Sequence, residues 1–161
     1  PSVHVRASTT FAGWIRDSVV SPAIVGPDSE SAQWVEEIAT LAGAPRIVLS
    51  KTRRGDQDIT IHAGDLSLLA DHTPILVDDI VSSGETMAKT VALMRNRGMV
   101  RPVCAITHAL FAPGAAERLR GAGAGVVVST NSVPHDSNVM DLSPSIAEAV
   151  DSLVGDPESG R

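Results

Sequence analysis

Residues Ile75–Thr86, ILVDDIVSSGET, carry the reading that decides the fold. Three apolar residues run straight into two adjacent carboxylates, Asp78 and Asp79. A short stretch of small hydroxylated residues and one glycine follows, and then a helix-like segment begins. A continuous apolar run bounded by polar residues reads as a buried parallel strand. Such a strand ends at an open sheet edge and delivers its acids there. The backbone N–H groups that come next are presented at a helix N-terminus, where a phosphate is readily held. Carboxylates suit sugar hydroxyls and Mg²⁺, and amides suit a phosphate. The order therefore predicts a site for a phosphorylated sugar.

Outward from this stretch, short apolar runs alternate with helical spacing. The runs are Ala23–Val25, Arg46–Leu49, Ile75–Val77, Val103–Ile106 and Val126–Val128, each bounded by Gly, Pro or polar residues. They predict buried strands. Between them, Trp34, Val35, Ile38 and Leu41 fit one helical face. Met87, Val91 and Met94 fit another, with Arg95 and Arg97 in the last turn and Gly98 as the stop. Thr9–Val19, Ala115–Leu119 and Pro144–Val150 predict further helices. Strand–helix repetition of this kind predicts an α/β fold, a three-layer parallel sheet with right-handed crossovers. Ligands in such sheets bind beyond the carboxyl ends of the strands.

Bulk composition narrows the function. A chain of 161 residues is most simply one domain, here 1–154, with 155–161 expected as a frayed tail. Thirteen Lys and Arg against nineteen Asp and Glu give a net charge of −6, which argues against a nucleic-acid backbone as partner. Two Phe, two Trp and no Tyr leave little for base stacking. No apolar run is long enough to cross a bilayer, so no membrane partner is expected. The single Cys104 excludes an internal disulfide and a cysteine zinc site, which fits the cytoplasm, and its apolar neighbours predict a buried core thiol.

Around the acid pair, Ser82, Ser83 and Thr86 supply hydroxyls, and Gly84 permits a backbone conformation closed to residues with a Cβ. Adjacent residues of an extended strand point to opposite sides, so one of Asp78 and Asp79 is the expected sugar contact and the other a helper, although the relaxed twist at a strand end leaves room for both to contribute. The plainer alternative is a strand end followed by a capped helix, with Ser83 as N-cap. Lys51–Asp65, KTRRGDQDITIHAGD, is a long polar connection without helical pattern, which reads as a functional flap or an unstructured segment. Alternation in Asp58–His62 predicts a small hairpin inside it. Its cations, Lys51, Arg53 and Arg54, otherwise read as a solvated basic loop. Asp28, in Gly26-Pro27-Asp28, reads from the residues alone as a helix cap, with Glu30 complementing the helix dipole. His4, His62, His72 and His135 show no metal-ligand spacing and are expected at the surface.

The segment Asp78–Thr86 resembles the phosphoribosyl-pyrophosphate (PRPP) motif of type I phosphoribosyltransferases and PRPP synthetases. The resemblance covers about Val20 through Val150, with GPD, KTR, VDDIVSSGET, THALF and STNSVP in the order of the synthetases' C-terminal half. It implies a type I phosphoribosyltransferase-like fold. It also implies that Asp78 and Asp79 contact ribose hydroxyls, and that the loop Ser82, Ser83, Gly84, Glu85, Thr86 wraps a 5-phosphate. Glu85 departs from the glycine or small residue common there, and its carboxylate is expected to point outward. Lys51 and Arg53 match a Lys-x-Arg pair on the synthetases' catalytic flap, and Asp28 matches a metal-ligand loop. Ser29, Glu30 and Ser31 stand where many relatives have glycines. Thr107-His108 and Ser129–Pro134 match in place and are assigned no role in chemistry.

The reaction implied is transfer of a diphosphoryl group from Mg·ATP to ribose 5-phosphate, giving PRPP and AMP, with Mg²⁺ as cofactor and a homo-oligomer as the assembly. Two other classes share the site. One is a PRPP-dependent phosphoribosyltransferase acting on a base or amine, against which the KTR segment argues. The other is a non-catalytic regulatory relative that binds the sugar phosphate only. The chain begins without Met and has about half the expected size, which predicts the C-terminal half of a two-domain synthetase, inactive by itself if the ATP site is shared.

Overall fold

The computed structural model of the chain describes residues 2–53, 59–62 and 66–154, with backbone alone at 51–53, 59–62 and 68. Its elements follow the expected alternation. They are α1 (Ser8–Ser18), β1 (Pro22–Gly26), α2 (Ala32–Ala42), β2 (Arg46–Val48), β3 (Ser50–Arg53), β4 (Ile59–His62), β5 (Thr73–Ile80), α3 (Glu85–Asn96), β6 (Val103–His108), α4 (Ala115–Gly121), β7 (Val126–Thr130), β8 (Asn138–Met140) and α5 (Ser143–Val154). Six strands form one sheet in the order β2-β1-β5-β6-β7-β8, and each pairing is parallel. β3 and β4 pair antiparallel beside it, with Lys51 opposite Ile61 and Arg53 opposite Ile59. The hairpin expected around Asp58–His62 is thus present as the β3–β4 ribbon. Arg54 and the tail 155–161 lie outside the described residues.

The centre of the sheet is buried on both faces because its strands are continuously apolar there, whereas the edge strand β2, expected to be buried, is exposed or half-buried along Arg46–Val48. On one face Leu76, Cys104 and Ile106 pack against Met87, Val91 and Met94 of α3 and Leu119 of α4. On the other, Ile75, Val77, Val103 and Ala105 pack against Phe11 and Ile15 of α1 and Val35 and Ile38 of α2. Period-two alternation along β5 therefore carries past Val77 to its end: Asp78 continues the face of Leu76, and Asp79 that of Val77.

Two further expectations need correction. Leu41 is 41% exposed, and Ala39 is buried instead. The inward stripe of α2 is 35, 38, 39 and 42, so residues 34 and 41, seven apart, both fall at its border. β8 was not expected from the sequence. Its three residues pair with β7 across a register shift, and only Met140 is buried, so it shows no apolar run to read. α3 ends as expected, with Gly98 at φ +79°. Cys104 is fully buried, and the loss of hydration pushes its thiol up to about 12.

Candidate functional site

β5 runs three residues beyond its last buried position, so the acid pair stands at the carboxyl edge of the sheet, next to the centre of the strand order. Asp79 is exposed and Asp78 half-buried. Asp78 Oδ1 accepts from the Asp79 amide at 3.1 Å, and Asp79 Oδ1 accepts from the Ile80 amide at 2.8 Å. The two carboxylates then part. Asp78 lines a small cavity of about 140 Å³ together with Ser82, Ser83, Gly84, Glu85 and Thr86. Asp79 lines a different cleft of about 330 Å³ on the opposite face, walled by Phe11, Trp34 and Val77. Adjacent residues of the strand thus serve opposite faces, with Asp78 alone beside the loop. At the larger cleft the Ser8 hydroxyl and the Trp34 indole N–H are buried with no hydrogen-bond partner among the described residues.

The loop Ser82–Gly84 is fastened from behind. The Ser82 carbonyl accepts from the Ala112 amide at 3.1 Å, and the Ser83 carbonyl accepts from Arg118 Nη1 at 2.6 Å. The Val81 amide donates to the His108 carbonyl at 3.2 Å. The bonds from Ala112 and Arg118, both beyond β6, thus hold the two loop carbonyls back. The first amides of α3 have no intrahelical acceptor, because no preceding turn exists to supply one. Gly84 adopts φ +71°, a left-handed conformation that an L side chain occupies only under strain. The expected N-cap at Ser83 is displaced by one residue: Gly84 is the N-cap, and the Ser83 hydroxyl accepts only a long bond of 3.4 Å from the Glu85 amide. Ser82 and Ser83 are left exposed at the cavity.

The carboxylate of Glu85 is engaged along α3, where Lys89 one turn later holds Oε1 at 2.9 Å. The Lys89 hydrogen bond and charge, with a smaller pull from Arg118, keep the Glu85 carboxyl below its ordinary range. Arg118 lies 35 residues from Ser83, and nothing in the sequence announces this contact.

At the end of β1 the chain turns sharply into α2. A Cβ on Gly26 would collide with the Ser31 hydroxyl, so only glycine fits there. Asp28 is buried, and its Oδ1 accepts from the Glu30 amide at 3.0 Å, so it caps the short turn before α2. Among the described residues, no cluster of three or more His, Cys, Asp or Glu side chains is placed to hold a metal ion. Lys51 and Arg53 stand on the backbone of β3, and their side chains lie outside the described part of the structure.

Thr107-His108 and the Ser129–Pro134 segment do come together. His108 Nδ1 meets Ser132 Oγ at 2.9 Å, and the Thr107 carbonyl accepts from Thr130 Oγ1 at 2.7 Å and Ser132 Oγ at 2.8 Å. His135, expected at the surface, is half-buried: its ring packs edge-on against Phe111 at 4.8 Å, and its Nδ1 accepts from the Ser137 amide at 3.1 Å. His72 is likewise half-buried.

Fold and site together define a parallel α/β domain with an acid pair and a serine-containing loop at a central strand–loop–helix junction. More particularly, the chain belongs to the phosphoribosyl transferase domain family, whose model matches residues 4–144. The chain is 32% identical over 157 residues to a ribose-phosphate pyrophosphokinase of Methanopyrus kandleri, covering 96% of this chain and 54% of that protein. It is 34% identical over 141 residues to a ribose-phosphate pyrophosphokinase of Mycobacterium tuberculosis, covering 83% of this chain and 42% of that one. Among solved structures, the phosphoribosylpyrophosphate synthetase of Mycobacterium smegmatis superposes with a TM-score of 0.76 at 27% identity, over 93% of this chain and 51% of the other. An orotate phosphoribosyltransferase of Aeropyrum pernix shares the fold, with a TM-score of 0.55 at 17% identity over 88% and 73% of the two chains. The chain spans about half the length of the curated relatives it matches. No described helix is long and apolar enough to cross a membrane.

Proposed function

We propose that this chain is the ribose 5-phosphate-binding domain of a ribose-phosphate diphosphokinase, acting with a second domain to make PRPP and AMP from ATP and ribose 5-phosphate. The observation that carries the reading is the single cavity shared by Asp78 and every residue from Ser82 to Thr86. A sugar phosphate seated there has its 5-phosphate at the loop amides and hydroxyls, and its ribose hydroxyls at Asp78. Asp79, facing the other way, is the helper. In the reaction the ribose 1-oxygen bonds to the β-phosphorus of ATP, the α–β bridge breaks, and AMP leaves. Lys51 and Arg53 are assigned to charge stabilisation of the moving diphosphoryl group, and positioning does the rest.

Mg²⁺ fits the donor set. Asp28 offers a hard carboxylate at the neighbouring strand end, and Mg²⁺ is commonly held by one or two carboxylates together with water and substrate phosphates. When bound, the ion would neutralise and align the phosphate oxygens. A homo-oligomeric assembly and a cytoplasmic setting belong to the same proposal.

The test has two stages. Calorimetry on the 161-residue chain is expected to show saturable binding of ribose 5-phosphate. In the full-length protein, Lys51→Ala is expected to abolish AMP formation while leaving ribose 5-phosphate binding nearly intact. Equal loss of both sinks that division of labour. Pyrophosphate released only when a base is supplied with PRPP would point instead to a phosphoribosyltransferase.

A further inference from the structure

Glu85 is the acid of the anion loop, and it occupies the first position of α3. A helix N-terminus attracts negative charge. A carboxylate left to itself there would settle over the amides that a phosphate needs, and an arriving phosphate would meet a like charge. Glu85 has two places to go. It lines the 140 Å³ cavity with Asp78 and Ser82–Thr86, and it also lines an open hollow of about 510 Å³ on the outer side of α3 and α4, with Ala88, Lys89, Ala92 and Arg118.

The side chain occupies the outer place. Lys89 Nζ holds Oε1 at 2.9 Å, in the favourable order with the acid one turn before the base. Arg118 reaches the same hollow from α4, and its Nη1 holds the Ser83 carbonyl at 2.6 Å. A lone exposed ion pair is a weak restraint, so a second cation in the outer hollow makes a difference there.

We infer that Lys89 and Arg118 are positioning residues of the phosphate loop: they hold the Glu85 carboxylate in the outer hollow, and Arg118 also keeps the Ser83 carbonyl turned from the cavity. The inference rests on the sugar-phosphate reading of the loop. Neither cation touches the ligand. The lowered titration of Glu85, caused first by Lys89 and more weakly by Arg118, agrees with this arrangement.

A mutant cycle on the 161-residue chain tests it, with ribose 5-phosphate and inorganic phosphate as probes. Lys89→Met is expected to weaken ribose 5-phosphate binding about five- to tenfold, because the freed carboxylate returns to the loop. Adding Glu85→Gln to Lys89→Met is expected to restore wild-type affinity. Arg118→Met is expected to weaken binding further than Lys89→Met, and Glu85→Gln to rescue it only in part, because the Ser83 contact stays lost. Wild-type affinity in Lys89→Met, or no rescue by Glu85→Gln, overturns the inference. NMR titration of the Glu85 carboxyl without ligand separates this from the functional reading. A midpoint below that of free glutamate in the wild type, rising in Lys89→Met, supports the clasp, whereas an ordinary midpoint overturns it. A wild-type chain that binds neither probe overturns the sugar-phosphate reading instead, and the clasp is then decided by the carboxyl titration alone.

Discussion

Two loops leave the carboxyl edge of the same sheet and use their polar groups in opposite ways. The loop after β7 is closed on itself. Ser129 Oγ meets Ser137 Oγ at 2.7 Å and accepts from Asn138 Nδ2 at 2.8 Å, while His135 Nδ1 meets Ser137 Oγ at 2.7 Å. Ser129 and Thr130, the last two residues of β7 at the root of this loop, are fully buried. The loop after β5 spends its carbonyls on bonds to the segment behind it and leaves Ser82 and Ser83 exposed at the cavity. Both loops are rich in serine, and composition alone does not separate them. What separates them is the destination of the hydrogen bonds: a saturated loop stabilises the fold, and a loop with outward donors is free to meet a ligand.

The contrast can be broken first at Asp78. Asp78→Ala removes the carboxylate that shares the loop's cavity and is expected to weaken ribose 5-phosphate binding about 100-fold, with the melting temperature unchanged. Calorimetry beside a thermal melt reads both. Asp79→Asn serves the other face of the sheet and is expected to cost less than a tenth as much affinity as Asp78→Ala. Equal losses would mean that the two acids act on one face after all.

The opposite pattern is expected in the closed loop. Ser129→Ala leaves the Asn138 amide short of an acceptor at a fully buried position and is expected to lower stability by about 1–3 kcal/mol. Ribose 5-phosphate affinity should not move. A urea titration and a binding isotherm on the same sample check the pair, and a loss of binding with stability intact would erase the distinction drawn between the loops.

A smaller effect is expected at Asp141, which ties the end of the closed loop to α5. The Ser143 hydroxyl and amide, followed by Asn131, lower its carboxyl below the ordinary 3.8. A group whose folded titration is lowered contributes stability above its ordinary value and loses it as the pH falls through the folded one. Wild type should therefore exceed Asp141→Asn in urea midpoint at pH 7, and the gap should close as the pH drops below 3.8. A gap that persists in acid would assign the effect to packing.

Sequence carried the fold far because its central strands are continuous apolar runs, such as Ile75–Val77 and Val103–Ile106, which few other structures accommodate. It carried β8 not at all, since Asn138–Met140 owes its strand to pairing with β7 rather than to any pattern of its own. The split of Asp78 from Asp79 was legible, because strand periodicity places neighbours on opposite faces. Arg118 was not, because a guanidinium 35 residues from the carbonyl it holds leaves no local trace. His135 was misplaced for a similar reason: Phe111, against which its ring packs, lies on another loop and meets it only once β6 and β7 stand side by side. Leu41 shows the limit of spacing counted without knowledge of which stripe faces the sheet.

The central claim is that Asp78 and Ser82–Thr86 form one ligand seat. An amide-resolved NMR titration of the 161-residue chain with ribose 5-phosphate tests it most directly. The expected result is saturable shifts concentrated at Asp78 and residues 82–86, absent in Asp78→Ala at the same ligand concentration. Shifts centred instead on the cleft of Phe11, Trp34 and Asp79, or an undiminished response in Asp78→Ala, would contradict it.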